Sequence, residues 1–287
     1  MAMRIFYSIL GLISLFWVAC QPKSPAPNLW GNASRQEVRR IQYQGTSVDV
    51  VIDKPDGVIM DVMVVYHGTV MYDSLIVAAA QNTLDGFKGI LNQPNMMLVS
   101  VAYPEENLLM GDNVKQAEAA LLWVKNRCAE ELGIQINKVF LGGHSQGGYI
   151  VTRLNTMHAT DGVIANAPGP LNLVYRCGLE ENGQIPPGIT CNLLAATYGS
   201  TLINPQAYFE RSLLHFTQGQ LSDILLVQGM GDTPIQMYSW PTFKQNMVQE
   251  NPNVAVEVLE IPGAPHAALF LSPLGATALN EFINRRK

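Results

Sequence analysis

The stretch Lys138-Val139-Phe140-Leu141-Gly142-Gly143-His144-Ser145-Gln146-Gly147-Gly148-Tyr149-Ile150-Val151-Thr152-Arg153-Leu154 decides the fold. It joins a short apolar run to a helical stretch through a glycine-rich turn centred on a serine. A turn this sharp brings the incoming strand against the outgoing helix, so the positions two before and two after the serine must lack bulk. Gly143 and Gly147 occupy them, and Gly148 lets the helix pack close to the strand. The turn places Ser145 at the positive end of the following helix, where developing negative charge is stabilised.

Outward from this turn, apolar runs alternate with helical ones. Val48–Ile52, Val58–Tyr66, Met96–Ala102, Gly162–Ala165, Ile224–Val227 and Val254–Ile261 join Lys138–Gly142 as strands. Short continuous apolar runs of this kind are buried on both faces, as in a mostly parallel sheet. Helices are predicted from Asp73 or Ser74 to Ile90, over Val114–Leu132 with Gly133 as the stop, after Ser145, near Tyr238–Gln249 and over Pro273–Arg285. The alternation gives an α/β class, with helices on both faces of the sheet. Residues 168–222 are too long for a plain connection and predict a helical cap over the active-site end.

A serine hydroxyl is a weak nucleophile; it needs a base, and the base needs an orienting carboxylate. His266 follows the last apolar run in Glu260-Ile261-Pro262-Gly263-Ala264-Pro265-His266 and is the expected base. His215 lies within an amphipathic stretch of the insertion and reads as packing or surface. Asp232 follows the penultimate strand and two glycines, Gly229 and Gly231, and is the expected acid. Asp161 and Asp223 precede their strands and belong to the far end. An oxyanion needs backbone donors. The Gln146 amide is one; the loop Tyr66-His67-Gly68-Thr69-Val70 supplies the other, with Thr69 as the expected donor and Gly68 as the loop glycine. His67, His144 and His158 read as structural.

Over roughly residues 41–287 these features resemble the α/β-hydrolase superfamily. The C-terminal half, through Tyr208-Phe209-Glu210-Arg211-Ser212 and Ile261-Pro262-Gly263-Ala264-Pro265-His266, is similar to the prolyl-oligopeptidase-type and dienelactone-hydrolase-like catalytic domains. The resemblance implies hydrolysis of a small-molecule ester through a covalent acyl-serine, without cofactor or metal. A serine peptidase, an acyltransferase and a non-catalytic binding domain of the same fold are the alternatives. His67-Gly68-Thr69-Val70 lacks the glycine-rich run of many lipases and peptidases, and the chain has no room for an oligopeptidase propeller.

Composition sets the outer limits. With 287 residues, 48% hydrophobic and 14% charged, the chain can bury one large domain. A net charge of -5 and the lack of a basic cluster exclude a nucleic-acid partner. Residues 1–20 read as a signal peptide of lipoprotein type: Arg4, an apolar stretch from Ile5 to Ala19, then Cys20 as the expected lipidation site. Residues 21–40, proline-bearing in their first part, read as a tether. Export follows as an expectation, with the protein either anchored in the membrane by lipid or, if residues 1–20 are an ordinary signal peptide, periplasmic or extracellular. An exported chain keeps disulfides, and Cys177 with Cys191 is the candidate pair, while Cys128 reads as a buried thiol. No Cys/His spacing resembles a zinc site.

Overall fold

The computed structural model describes residues 35–287. The proposed signal segment, Cys20 and residues 21–34 lie outside the described residues. Residues 35–40, expected as the end of the tether, instead open a strand, β1 (Arg35–Tyr43). From Gln36 to Tyr43 its side chains alternate between water and partial burial, and of these only Ile41 is fully buried. The continuous apolar run that marks the inner strands is therefore missing from it.

Seven further strands follow: β2 (Thr46–Lys54), β3 (Ile59–Tyr66), β4 (Met96–Ala102), β5 (Gln135–His144), β6 (Gly162–Asn166), β7 (Ile224–Gly229) and β8 (Val256–Ile261). They form one sheet in the order β1-β2-β4-β3-β5-β6-β7-β8. β2 pairs antiparallel with both β1 and β4; every other pairing is parallel. The inner strands carry Val, Ile, Leu and Met at nearly every position because both faces are covered.

The helices are α1 (Ile76–Ile90), α2 (Val114–Asn126), α3 (Cys128–Leu132), α4 (Gln146–Asn155), α5 (Leu173–Glu181), α6 (Ile189–Tyr198), α7 (Pro205–Phe209), α8 (Pro234–Glu250), α9 (Ala268–Leu271) and α10 (Pro273–Asn284). Val50, Val62, Val64, Val99, Leu141 and Val163 point to one face, where they pack with Leu121, Val124, Ile150, Trp240 and Phe243 of α2, α4 and α8. The opposite face meets α1, α9 and α10: Ser100 Oγ donates to the Ala80 carbonyl at 2.7 Å, and Phe87 of α1 meets Phe270 edge-on.

The single helix expected over 114–132 changes direction at Arg127 (φ -132°, ψ -33°). The i→i−4 bonds continue across the bend, from Arg127 N to Trp123 O (2.8 Å) and Glu131 N to Arg127 O (3.0 Å). The bend sets Glu131 to accept from the Trp123 indole at 3.1 Å. Gly133, at φ +62°, ends α3 in the left-handed conformation that glycine tolerates. Cys128 is free and buried. Between β6 and β7 the chain forms α5, α6, α7 and a 3₁₀ turn at 213–216, with Cys177 and Cys191 bonded as a disulfide.

Candidate active site

The chain turns from β5 into α4 at Ser145, whose backbone stands at φ +57°, ψ -116°. A non-glycine residue in that region is strained, and such strain persists only where surrounding structure enforces it. Here Ser145 N donates to Asn166 O (2.9 Å), while Ser145 O accepts from Gly169 N and Tyr149 N (both 3.1 Å). A Cβ on Gly147 would overlap the Tyr66 carbonyl oxygen, and one on Gly143 would overlap that of Gly147. Gly148 sits against Pro168, whose Cα would be 2.8 Å from an added Cβ. Gly68 passes close by the serine, 3.4 Å from an added Cβ to the Ser145 Cβ.

Asp232 and His266 arrive from neighbouring loops beyond β7 and β8. Those loops interlock: Met230 N donates to Ile261 O (3.0 Å) and Gly231 N to Ala264 O (2.8 Å). A Cβ on Gly229 would overlap the Pro265 carbonyl oxygen, so this packing requires glycine there. The His266 Nδ1 lies 2.7 Å from Asp232 Oδ2. The same oxygen accepts from Gln228 Nε2 at 2.8 Å, and Asp232 Oδ1 accepts from Thr233 N at 2.6 Å. Burial would raise the Asp232 pKa, but the bonds from His266, Gln228 and Thr233 outweigh it and hold the group below its usual value. Gln228 is itself fixed by Gln236 Nε2, at 3.1 Å from its Oε1. Sequence reading passed over Gln228; a lone glutamine in the apolar run Ile224–Gly229 was its signal.

The loop after β3 carries the other expected donor. The Val70 amide donates to Glu105 Oε2 at 2.7 Å, which removes it from candidacy. The Thr69 and Gln146 amides donate to no other described residue. Their two side chains are joined, Thr69 Oγ1 to Gln146 Oε1 at 2.7 Å, which ties the loop to the elbow. Residues 103–106 brace the loop from behind. Tyr103 donates to the His67 carbonyl and stacks on the His67 ring at 4.0 Å. Asp73 Oδ1 accepts from Glu105 N (2.8 Å) and Glu106 N (3.0 Å). Glu105, absent from the sequence reading, emerges only from this contact.

The remaining histidines are tied to other partners. Burial holds His67 down to about 4 against the raising effect of its Gly68 and Tyr103 backbone bonds. His144 is likewise lowered to about 4, by burial and by the neighbouring His266, and its Nδ1 accepts from Asn166 at 2.7 Å. His158 pairs with Glu118 at 2.7 Å, and His215 lies between Phe209 and Phe216. Asp161 binds Lys138 and Asp223 binds Arg286, both at the opposite end of the strands.

Ser145, Asp232, His266 and Thr69 line one cleft of about 490 Å³. Its far wall comes from the insertion, including Leu171, Asn172, Arg176, Ile189 and Thr190. Ser145 and His266 both border this space, and among the described residues no hydrogen bond joins the hydroxyl to the ring. Among the described residues no group of three His, Cys, Asp or Glu side chains is placed to hold a metal ion.

No family model and no curated protein matches the sequence. Solved structures do match. An esterase from Pyrobaculum calidifontis aligns with a TM-score of 0.63 and 16% identity over 88% of this chain and 84% of its own. A thermostable esterase from Pseudomonas putida aligns at 0.59 and 16%, over 87% and 81%. An acylaminoacyl peptidase from Pyrococcus horikoshii aligns at 0.63 and 12%, covering 88% of this chain and 42% of the peptidase. Likeness at such identities speaks for architecture, and chemistry must be argued from the site. The strand order, the elbow at Ser145 and these matches together establish that this chain has the α/β-hydrolase fold.

Proposed function

We propose that this protein is a serine hydrolase that cleaves carboxylic esters. The observation that carries the reading is the 2.7 Å bond between His266 and Asp232 in the cleft that Ser145 also lines. In the proposed mechanism His266 Nε2 takes the Ser145 proton as Oγ bonds to the acyl carbon. Asp232 holds the Nδ1–H tautomer and stabilises the imidazolium. The carbonyl oxygen, now an oxyanion, accepts from the Thr69 and Gln146 amides. Collapse breaks the ester C–O bond, and His266 passes its proton to the departing alcohol. Water then attacks the acyl-serine with His266 again as base, releasing the carboxylic acid and restoring the hydroxyl.

Replacing Ser145 by alanine tests this reading. Turnover of a short p-nitrophenyl ester should fall by roughly 10⁵- to 10⁶-fold, and labelling by a fluorophosphonate should vanish, with circular dichroism unchanged. Retained hydrolysis in that variant overturns the proposal.

A further inference from the structure

Among the described residues three ionisable side chains line the cleft: Asp232, His266 and Arg176. The first two are bound to each other. Arg176, on α5, commits only its Nε, which donates to Glu180 Oε1 at 3.2 Å. The Glu180 side chain is 4% exposed against 40% for Arg176, and its second oxygen accepts from Gly188 N at 2.7 Å. The carboxylate therefore sits buried behind the guanidinium. Nη1 and Nη2 of Arg176 donate to no described residue.

The flanking residues hold this turn of α5 in place. Tyr175 stacks on Tyr238 of α8, with centroids 3.8 Å apart and planes 15° from parallel. Cys177 is bonded to Cys191 of α6. Three consecutive residues of α5 point in directions about 100° apart, and each is tied to a different partner. With its backbone fixed and its Nε bound to Glu180, the guanidinium has given up part of its freedom before a ligand arrives. Its two free amino groups present the planar fork that a carboxylate accepts bidentately. A single guanidinium with a carboxylate behind it suits a monoanion better than a doubly charged group.

We infer that the cleft takes esters bearing a second, ionised carboxylate, which pairs with Nη1 and Nη2 of Arg176. This rests on reading the cleft as an ester-hydrolase site, and it assigns Arg176 as the specificity-determining residue.

Length-matched ester pairs test it. Monomethyl glutarate against methyl pentanoate places the charge on the acyl side; 4-acetoxybutanoate against butyl acetate places it on the alcohol side. In at least one pair kcat/KM should favour the carboxylate ester by about tenfold or more, chiefly through KM. The Arg176→Gln variant should bring that ratio near one, Arg176→Lys should leave an intermediate ratio, and added salt should narrow it. Calorimetric binding of the same four esters to the Ser145→Ala protein reads the subsite without turnover, so it stands or falls separately from the hydrolase reading. Equal affinities within both pairs, or a preference unmoved in Arg176→Gln, overturns the inference.

Discussion

Replacing Glu105 by glutamine should change the pH dependence of stability more than stability itself. The Glu105 side chain is 5% exposed and holds the Val70 amide at 2.7 Å. Burial first, and then the Asp73 carboxylate, raise it from 4.5 to about 8 despite the Val70 bond, which acts the other way. Between those values the unfolded chain has released this proton while the folded chain retains it. Folded protein thus binds more protons, and stability falls as pH rises through the window, by about 1.4 kcal/mol per pH unit from this group. The full window carries at most roughly 5 kcal/mol, comparable with the whole stability of a marginal domain. Glutamine keeps a carbonyl oxygen for the Val70 amide and does not titrate. Urea unfolding of both proteins at pH 5, 6.5 and 8 should show near-equal stability at pH 5 and a variant more stable by about 2–4 kcal/mol at pH 8. A difference that stays constant across the three pH values refutes the reasoning. Glu105→Ala separates geometry from charge: with the Val70 amide unpaired, kcat should drop about tenfold, whereas Glu105→Gln should retain it.

Two further outcomes follow from packing. Gly147→Ala places a methyl on the Tyr66 carbonyl; the elbow must shift, and a loss of about 3 kcal/mol or more in thermal or urea unfolding should accompany loss of ester turnover. Unfolding within 1 kcal/mol of the parent, with activity intact, would show that the turn has slack. Cys177→Ser with Cys191→Ser opens a loop of 14-residue separation and should cost about 3 kcal/mol. Dithiothreitol should lower the melting temperature of the parent and leave the double variant unmoved.

Local sequence carried much of this protein. The apolar runs of the inner strands are legible because both faces of those strands are buried. The elbow is legible because steric exclusion at Gly143 and Gly147 acts within a few residues. Ser145, Asp232 and His266 could be picked out because each follows a strand end, and the structure brings all three to one cleft. β1 was missed for the complementary reason. An edge strand wetted along one side needs no apolar run, so Arg35–Tyr43 reads as polar chain.

Tertiary structure alone decided the rest. Glu105 is 35 residues from Val70, and nothing in either segment marks their bond. Arg176 becomes a cleft residue only because Tyr238 and Cys191 hold α5 in place. Periodicity and steric exclusion act between near neighbours and are written in order along the chain. The electrostatics of a cleft depend on which distant charges meet and which are already paired, and only folding sets that.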